Sequence, residues 1–398
     1  MLWLDLLQDT WTLWTHSKNI RFARLLFTLK QKQTEQPSIP LCEDSLSPDE
    51  KSLVYSIRSK TEAYNRNNIT RTLAYYEFYR RHPEVHWALL AHLVSRNAGW
   101  NMTDLRGEWL TRLLSDEQQH AFFSFLERGN WLIFHDAFPQ LLLYEAGRQQ
   151  QRNLSHLLAY FGVSRFSTSI WDEFFHTGDS HLLTVGLIIN EQSYIEDRVI
   201  QNLHYRKTVL QTMDFILQDI LGLNHILFPR QASDTANTQI ACPLCGCCVH
   251  HFDSLRKRIL MGKQLYAALF GQPVVLDEVL RWADAHSHTG SRSDYWPHLF
   301  GTVQKAGPHA PYIPHLSGTK LKPGVPRLYS PQLVDAWSDT VQSPAELGDW
   351  FCDWRIASHL LAPCKTDIAD MLTPYCNSIE KVEMAVLGKQ ALASSSYA

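Results

Sequence analysis

Apolar residues recur along most of this chain at helical spacing, and the strict alternation of a half-buried strand is hard to find. From residue 51 to about 228 the rhythm is helical almost throughout. Ser115-x-x-Gln118 forms a capping box ahead of "HAFFSFLE", and Gly129 fits the stop position after it. Leu154, Leu157, Leu158 and Phe161 repeat at helical spacing before Gly162, and Ile188, Ile195, Val199 and Leu203 continue the rhythm. "KTVLQTMDFILQDILGL" predicts a further long helix, and "HFDSLRKRILMGKQLYAALF" another. Between them, residues 229–251 read as a polar loop. Pro308, Pro311, Pro314, Pro323, Pro326 and Pro331 forbid long helices across 286–331. Helices are expected to resume at Ser330-Pro331 and, through a proline-led capping box, at Ser343-Pro344-Ala345-Glu346. The tail "ASSSYA" reads as frayed.

The fold class expected is therefore all-α: a large multi-helix globular body over 51–395 with one long Pro-rich irregular segment. Before it, residues 1–32 carry an amphipathic stripe (Trp3, Leu7, Trp11, Trp14), followed by Lys18, Arg21, Arg24, Lys30 and Lys32. Such a segment either docks on the protein's own core or makes peripheral contact with an anionic membrane. Polar, Pro-containing residues 33–50 read as a linker.

Composition narrows the classes. The chain has 398 residues, 45% hydrophobic and 19% charged, with a net charge of -3, so no bulk electrostatic term favours nucleic acid. No run approaches the roughly 20 apolar residues that span a bilayer. The start lacks a basic n-region and carries Asp5 and Asp9 inside its apolar run, which argues against a signal peptide and for a cytoplasmic protein.

Three stretches carry candidate chemistry. Cys242, Cys245, Cys248 and His251 stand three apart, with the ligand types a structural zinc prefers. A zinc site, however, usually joins two knuckles, whereas these four ligands share ten residues. The alternative is a thiol-rich loop. The second stretch is "HPEVHWALLAHLVSRNAGWNMTDLRG" (82–107), whose helix is apolar nearly all round and so should be buried. Yet His92, Ser95 and Arg96 share a stripe, and Asn97, Asn101 and Asp104 follow. Buried groups of this kind need partners, so the stripe faces an internal polar network or lines a cleft. In the third stretch, "HSHTGSRSDYWPHLF" (286–300), His288, Thr289, Gly290, Ser291, Arg292 and Asp294 make either an anion cradle or a staple for a long loop. Glu191, Gln192 and Glu196 of "LIINEQSYIEDR" could meet His92 in a bundle-type metal site, though no E-x-x-H spacing supports it.

"NITRTLAYYEFYRRHPEVHWALLAHLVSRNAGWNMTDL", "FPQLLLYE", "LIINEQSYIEDRVI" and "HTGSRSDYWPHLF" together resemble the YppC-like family of bacilli and related Firmicutes, a domain of unknown function. The resemblance spans roughly 50–380 and implies a cytosolic protein with no catalytic residues to carry over. Two readings follow. In one, a cleft between His92/Arg96/Asp104 and His288/Ser291/Arg292/Asp294 binds or hydrolyses an anionic small molecule, with His92 or His288 as general base and Arg292 holding the anion. In the other, the polar stretches are structural and the protein is a non-catalytic interaction or membrane-peripheral protein.

Overall fold

A computed structural model describes residues 20–35, 43–212, 225–231, 243–248, 252–305, 307, 310–318, 320–362 and 369–395. The architecture is helical, with a few short strands filling gaps between helices. The Trp stripe of residues 3–14 lies outside the described residues. The basic segment after it forms helix α1, over 20–34, and it docks: Leu25 and Leu29 are buried in the main core. Gln33 accepts from the backbone N–H of Trp354 at 3.0 Å, and Arg165 donates to the Lys32 carbonyl at 2.6 Å.

Capping chemistry starts the next helices where the sequence places it. Ser47 and Glu50 close a box at α2 (Pro48–Tyr64), and Asn67 and Thr70 at α3 (Asn68–Arg81). Helix α4 (His86–Asp104) is buried on nearly every side, as its apolar pattern requires. Ser115 and Gln118 cap α5 (Asp116–Gln150), but that helix does not stop at Gly129. Leu132, Phe134, Phe138, Leu141 and Leu142 continue its buried stripe for about three more turns. Burying them outweighs the roughly 1 kcal/mol that one helical glycine costs. Helices α6 (Arg165–Thr177) and α7 (Ser180–Ile195) complete the bundle, and α8 (Leu255–Phe270) and α9 (Pro273–Ala285) lie against it.

Several expectations fail. Residues 229–251 are not simply a polar loop. Strand β1 (His225–Pro229) pairs antiparallel with β2 (Leu244–Cys248), both faces are covered by core, and Cys245 is fully buried. Thiols here behave as small apolar groups, which a polar reading of cysteine misses. The capping box at Ser343 starts no helix. Val341 and Leu347 point to solvent, so a helix there would have no stripe to bury. Instead Arg128 binds the carbonyls of Ser343 and Pro344, and Arg198 those of Glu346 and Gly348. At Ser330 only the single turn Leu333–Ala336 forms. Of the long helix expected over 207–223, the described part is a π-helical turn, Arg206–Leu210.

The Pro-rich segment after α9 is irregular, as expected. Strand β3 (Phe300–Gly301) pairs in parallel with β4 (Leu328–Tyr329), and β5 (Ala369–Asp370) joins the edge of β2. Helix α10 (Leu372–Ser395) closes a second, aromatic core of Trp100, Trp109, Trp296, Phe300 and Tyr375. Among the described residues no single helix is long and apolar enough to cross a membrane.

Candidate functional site

The second and third polar stretches meet. Helix α4 projects Arg96, Trp100 and Asp104 from one side, about one turn apart, and the 286–300 loop wraps that side. Arg292 binds Asp104 Oδ2 through Nε at 2.5 Å and the Tyr375 hydroxyl through Nη1 at 2.8 Å, and its guanidinium lies 4.2 Å from the Trp100 ring centre. The side chains of Arg292 and Asp104 are 5% and 14% exposed. Burial lifts the Asp104 carboxyl above its ordinary range, against the pull of Arg292.

This ion pair forms one wall of a cavity of about 110 Å³. Asn101, Glu108, Trp109, Phe122, Phe300 and Tyr329 supply much of the rest. Glu108 is already paired with Arg112 at 3.1 Å. Asp104 Oδ1 and Arg292 Nη2 make no hydrogen bond among the described residues, and both residues line the cavity.

The remaining sequence candidates are used internally. Arg96 donates to the carbonyls of His286 at 2.6 Å and Ser287 at 3.1 Å and stacks 4.4 Å from Trp282, so it caps the C-terminus of α9. His92 Nδ1 faces the Thr72 carbonyl at 2.9 Å, and burial, with Arg96 close by, pushes its pKa well down. His288 Nε2 donates to Asn68 Oδ1 at 2.7 Å, while its Nδ1 stands 3.7 Å from Asp294, too far for a hydrogen bond. Burial lowers the His288 pKa to about 4, so both imidazoles are neutral. Neither histidine lines the cavity, which argues against the general-base role expected of them.

The anion cradle is closed by its own chain. Asp294 takes the N–H and the hydroxyl of Thr289, both at 2.7 Å. Burial raises its carboxyl, but these bonds and His288 outweigh that and hold it low. Ser291 donates to the Ser330 carbonyl, and the Ser330 hydroxyl accepts the Arg292 N–H. Gly290 takes φ 83°, but what approaches its backbone is Thr103, whose hydroxyl donates to its carbonyl at 2.7 Å, and Leu333. Asn97 bonds both the N–H and the carbonyl of Leu227 and so anchors β1. Of the expected ligand-binding residues, only Asn101, Asp104 and Arg292 reach the cavity.

Of the four cysteine-cluster ligands, only Cys245 and Cys248 lie among the described residues. Cys245 and Cys248 project from opposite faces of β2, which does not fit one tetrahedral zinc held by both; Cys242 and His251 lie outside the described residues. Burial pushes the Cys245 thiol up to about 12, and it contacts the Phe228 carbonyl at 3.6 Å. The bundle-type metal site fails for a different reason. Glu196 pairs with Arg258, Gln192 accepts from Arg258, and Glu191 accepts from Trp87 Nε1 at 3.1 Å, all apart from His92. No group of three or more potential metal ligands occurs among the described residues.

Several site residues carried no sequence signal. Asn68 looks like an ordinary first-turn residue of α3, and Tyr375 and Tyr329 lie far along the chain from Asp104. "GEWL" held the one available hint, an acid next to a tryptophan just beyond the flagged helix.

Residues 63–363 match a family model described as protein of unknown function (DUF2515). Over 256 residues, 64% of this chain and 77% of the other, the sequence is 41% identical to the uncharacterized protein YppC of Bacillus subtilis (strain 168). No solved structure matches.

Proposed function

The chain belongs to the DUF2515 family of proteins of unknown function, and from that premise we propose that it binds a small polar molecule in the Asn101–Asp104–Arg292 cavity. One observation carries this reading: an ion pair that keeps one oxygen and one nitrogen free of hydrogen bonds among the described residues lines an aromatic-walled cavity. Binding is favoured over hydrolysis because His92 and His288 are neutral, partnered and away from the cavity. A strictly anionic ligand is not favoured, since Asp104 and Glu108 line the same wall as Arg292.

The test compares wild type with Asn101→Phe, which fills the cavity from the α4 side. A panel of neutral, anionic, cationic and zwitterionic compounds of up to about eight heavy atoms is scored by thermal shift. At least one should raise the melting temperature of wild type and leave the variant unmoved; identical responses across the panel would sink the reading.

Helix α1 favours a second reading, contact with an anionic lipid surface. Its outer face exposes Ile20 and Phe27, one heptad apart, with Arg21 and Arg24 beside them and no acid before Glu35. Co-sedimentation with phosphatidylserine vesicles but not phosphatidylcholine vesicles, lost in Phe27→Glu, is the outcome expected. Equal sedimentation with both would remove it.

A further inference from the structure

We infer that the ligand of this cavity is a small zwitterion bearing one ammonium and one carboxylate group, of the bulk of a free amino acid with a short side chain. The inference rests on the reading that the cavity binds a small molecule. Its basis is how the ion pair is engaged. Asp104 uses one oxygen and Arg292 one nitrogen for their mutual bond, and Tyr375 takes a second guanidinium nitrogen. That leaves Asp104 Oδ1 and Arg292 Nη2 without a hydrogen bond among the described residues, on two oppositely charged side chains that both line the cavity. Both side chains are anchored, Asp104 by its place on α4 and Arg292 by its bonds to Asp104 and to Tyr375 of α10.

Charge decides what fits. A carboxylate alone satisfies Nη2 but faces the Asp104 oxygen, and an ammonium alone meets the reverse problem at Arg292. Groups of both signs on one molecule extend the existing pair into a four-charge ring, in which each ion gains an opposite neighbour. Glu108 adds no uncompensated charge, because Arg112 already holds it. The rest of the lining suits a short side chain: Leu105, Leu110, Phe122 and Phe300 are apolar, and Asn101 offers a neutral amide. Size sets the limit. A cavity of about 110 Å³ is several times the roughly 10–15 Å³ that one water needs, so it admits a molecule of several heavy atoms. Glycine, alanine and serine are among the smallest molecules that carry both charged groups.

Isothermal calorimetry on the full chain tests this with glycine, L-alanine and L-serine. Alaninamide lacks the carboxylate, N-acetylalanine lacks the ammonium, and propionate lacks the amine. At least one amino acid should bind, and removal of either charge should weaken binding tenfold or more. Asn101→Phe should abolish the heat without altering the charged pair. Should Asp104→Asn or Arg292→Lys fail to fold, the ligand analogues still decide the question. If uncharged or singly charged compounds bind as well as the amino acids, and Asn101→Phe removes that binding, the zwitterion is overturned while the cavity stands. No binding by any compound, here or in the wider panel, overturns both.

Discussion

Burial acts with opposite sign on two of the polar networks inside this protein. The first sits inside the helical bundle. Asp136 of α5 accepts from Asn190 of α7 at 2.6 Å and from Gln140 at 2.9 Å, and Glu191 accepts from Trp87. Neither carboxylate has an ion-pair partner among the described residues, and burial raises the pKa of each to about 7. The second lies between α4 and the 286–300 loop and is built on arginine and histidine. There burial drives His288 down to about 4, Arg96 is held by helix-end carbonyls, and Arg292 is held by Asp104. A carboxylate can shed its charge by taking a proton, whereas a guanidinium cannot and needs acceptors. Of these two networks, charge therefore persists only in the second, and that one borders the cavity.

The sharpest way to break the comparison is to remove a fixed charge from the second network. Arg292→Ala strands Asp104 in an apolar wall, and urea unfolding should show a loss of about 3–5 kcal/mol. Arg292→Met with Asp104→Leu should recover most of that. The arginine flagged as a ligand contact is thus also a structural one, and a loss below about 1 kcal/mol would show that the pair is not buried in solution.

Next comes pH. Asp136 and Glu191 bind protons more tightly when folded, so their contribution is complete below about pH 4 and is lost as pH rises toward 7. His288 works the other way. Its folded pKa is depressed, so its contribution is present above its ordinary value of 6.5 and is lost as pH falls toward 4. Urea midpoints from pH 4 to 8 should therefore be flatter in wild type than in either variant. Asp136→Asn should make stability fall more steeply on acidification, and His288→Gln should make it rise. Parallel profiles for all three proteins would dissolve the contrast.

Smaller effects separate packing from propensity. A Cβ on Gly99 would come within 2.4 Å of Asn68 Oδ1 and 2.7 Å of His288, so Gly99→Ala should cost about 1–3 kcal/mol. Gly129→Ala meets nothing within 4 Å and should stabilise α5 by about 0.5–1 kcal/mol. Cys245→Ser should lower the melting temperature by a few degrees without changing metal content. Loss of one equivalent of zinc in that variant would return the cysteine segment to the metal-site reading.

Much of the candidate site was legible before the fold was known, but not its division of labour. The apolar surround of His92 and Arg96 announced burial, and the polar 286–300 loop announced a partner for them. Spacing could not tell that Arg96 would find carbonyls while Arg292 found Asp104, because both choices depend on where α9 ends relative to α4. The capping box at Ser115 started its helix and that at Ser343 did not, although both carry the same local signal. A cap adds about 1 kcal/mol, and a buried stripe decides whether that is enough.

What the sequence determined by itself was helical class, the burial of α4 and the two stretches that meet, since periodicity and polarity are local properties of the chain. Tertiary structure alone decided which polar atoms remain unspent, that cysteines form a strand, and that Asn101, Asp104 and Arg292 share a cavity with Tyr329. Hydrogen-bond satisfaction is settled pair by pair between residues far apart in the chain, 191 positions for Arg96 with Ser287, and no local pattern encodes that distance.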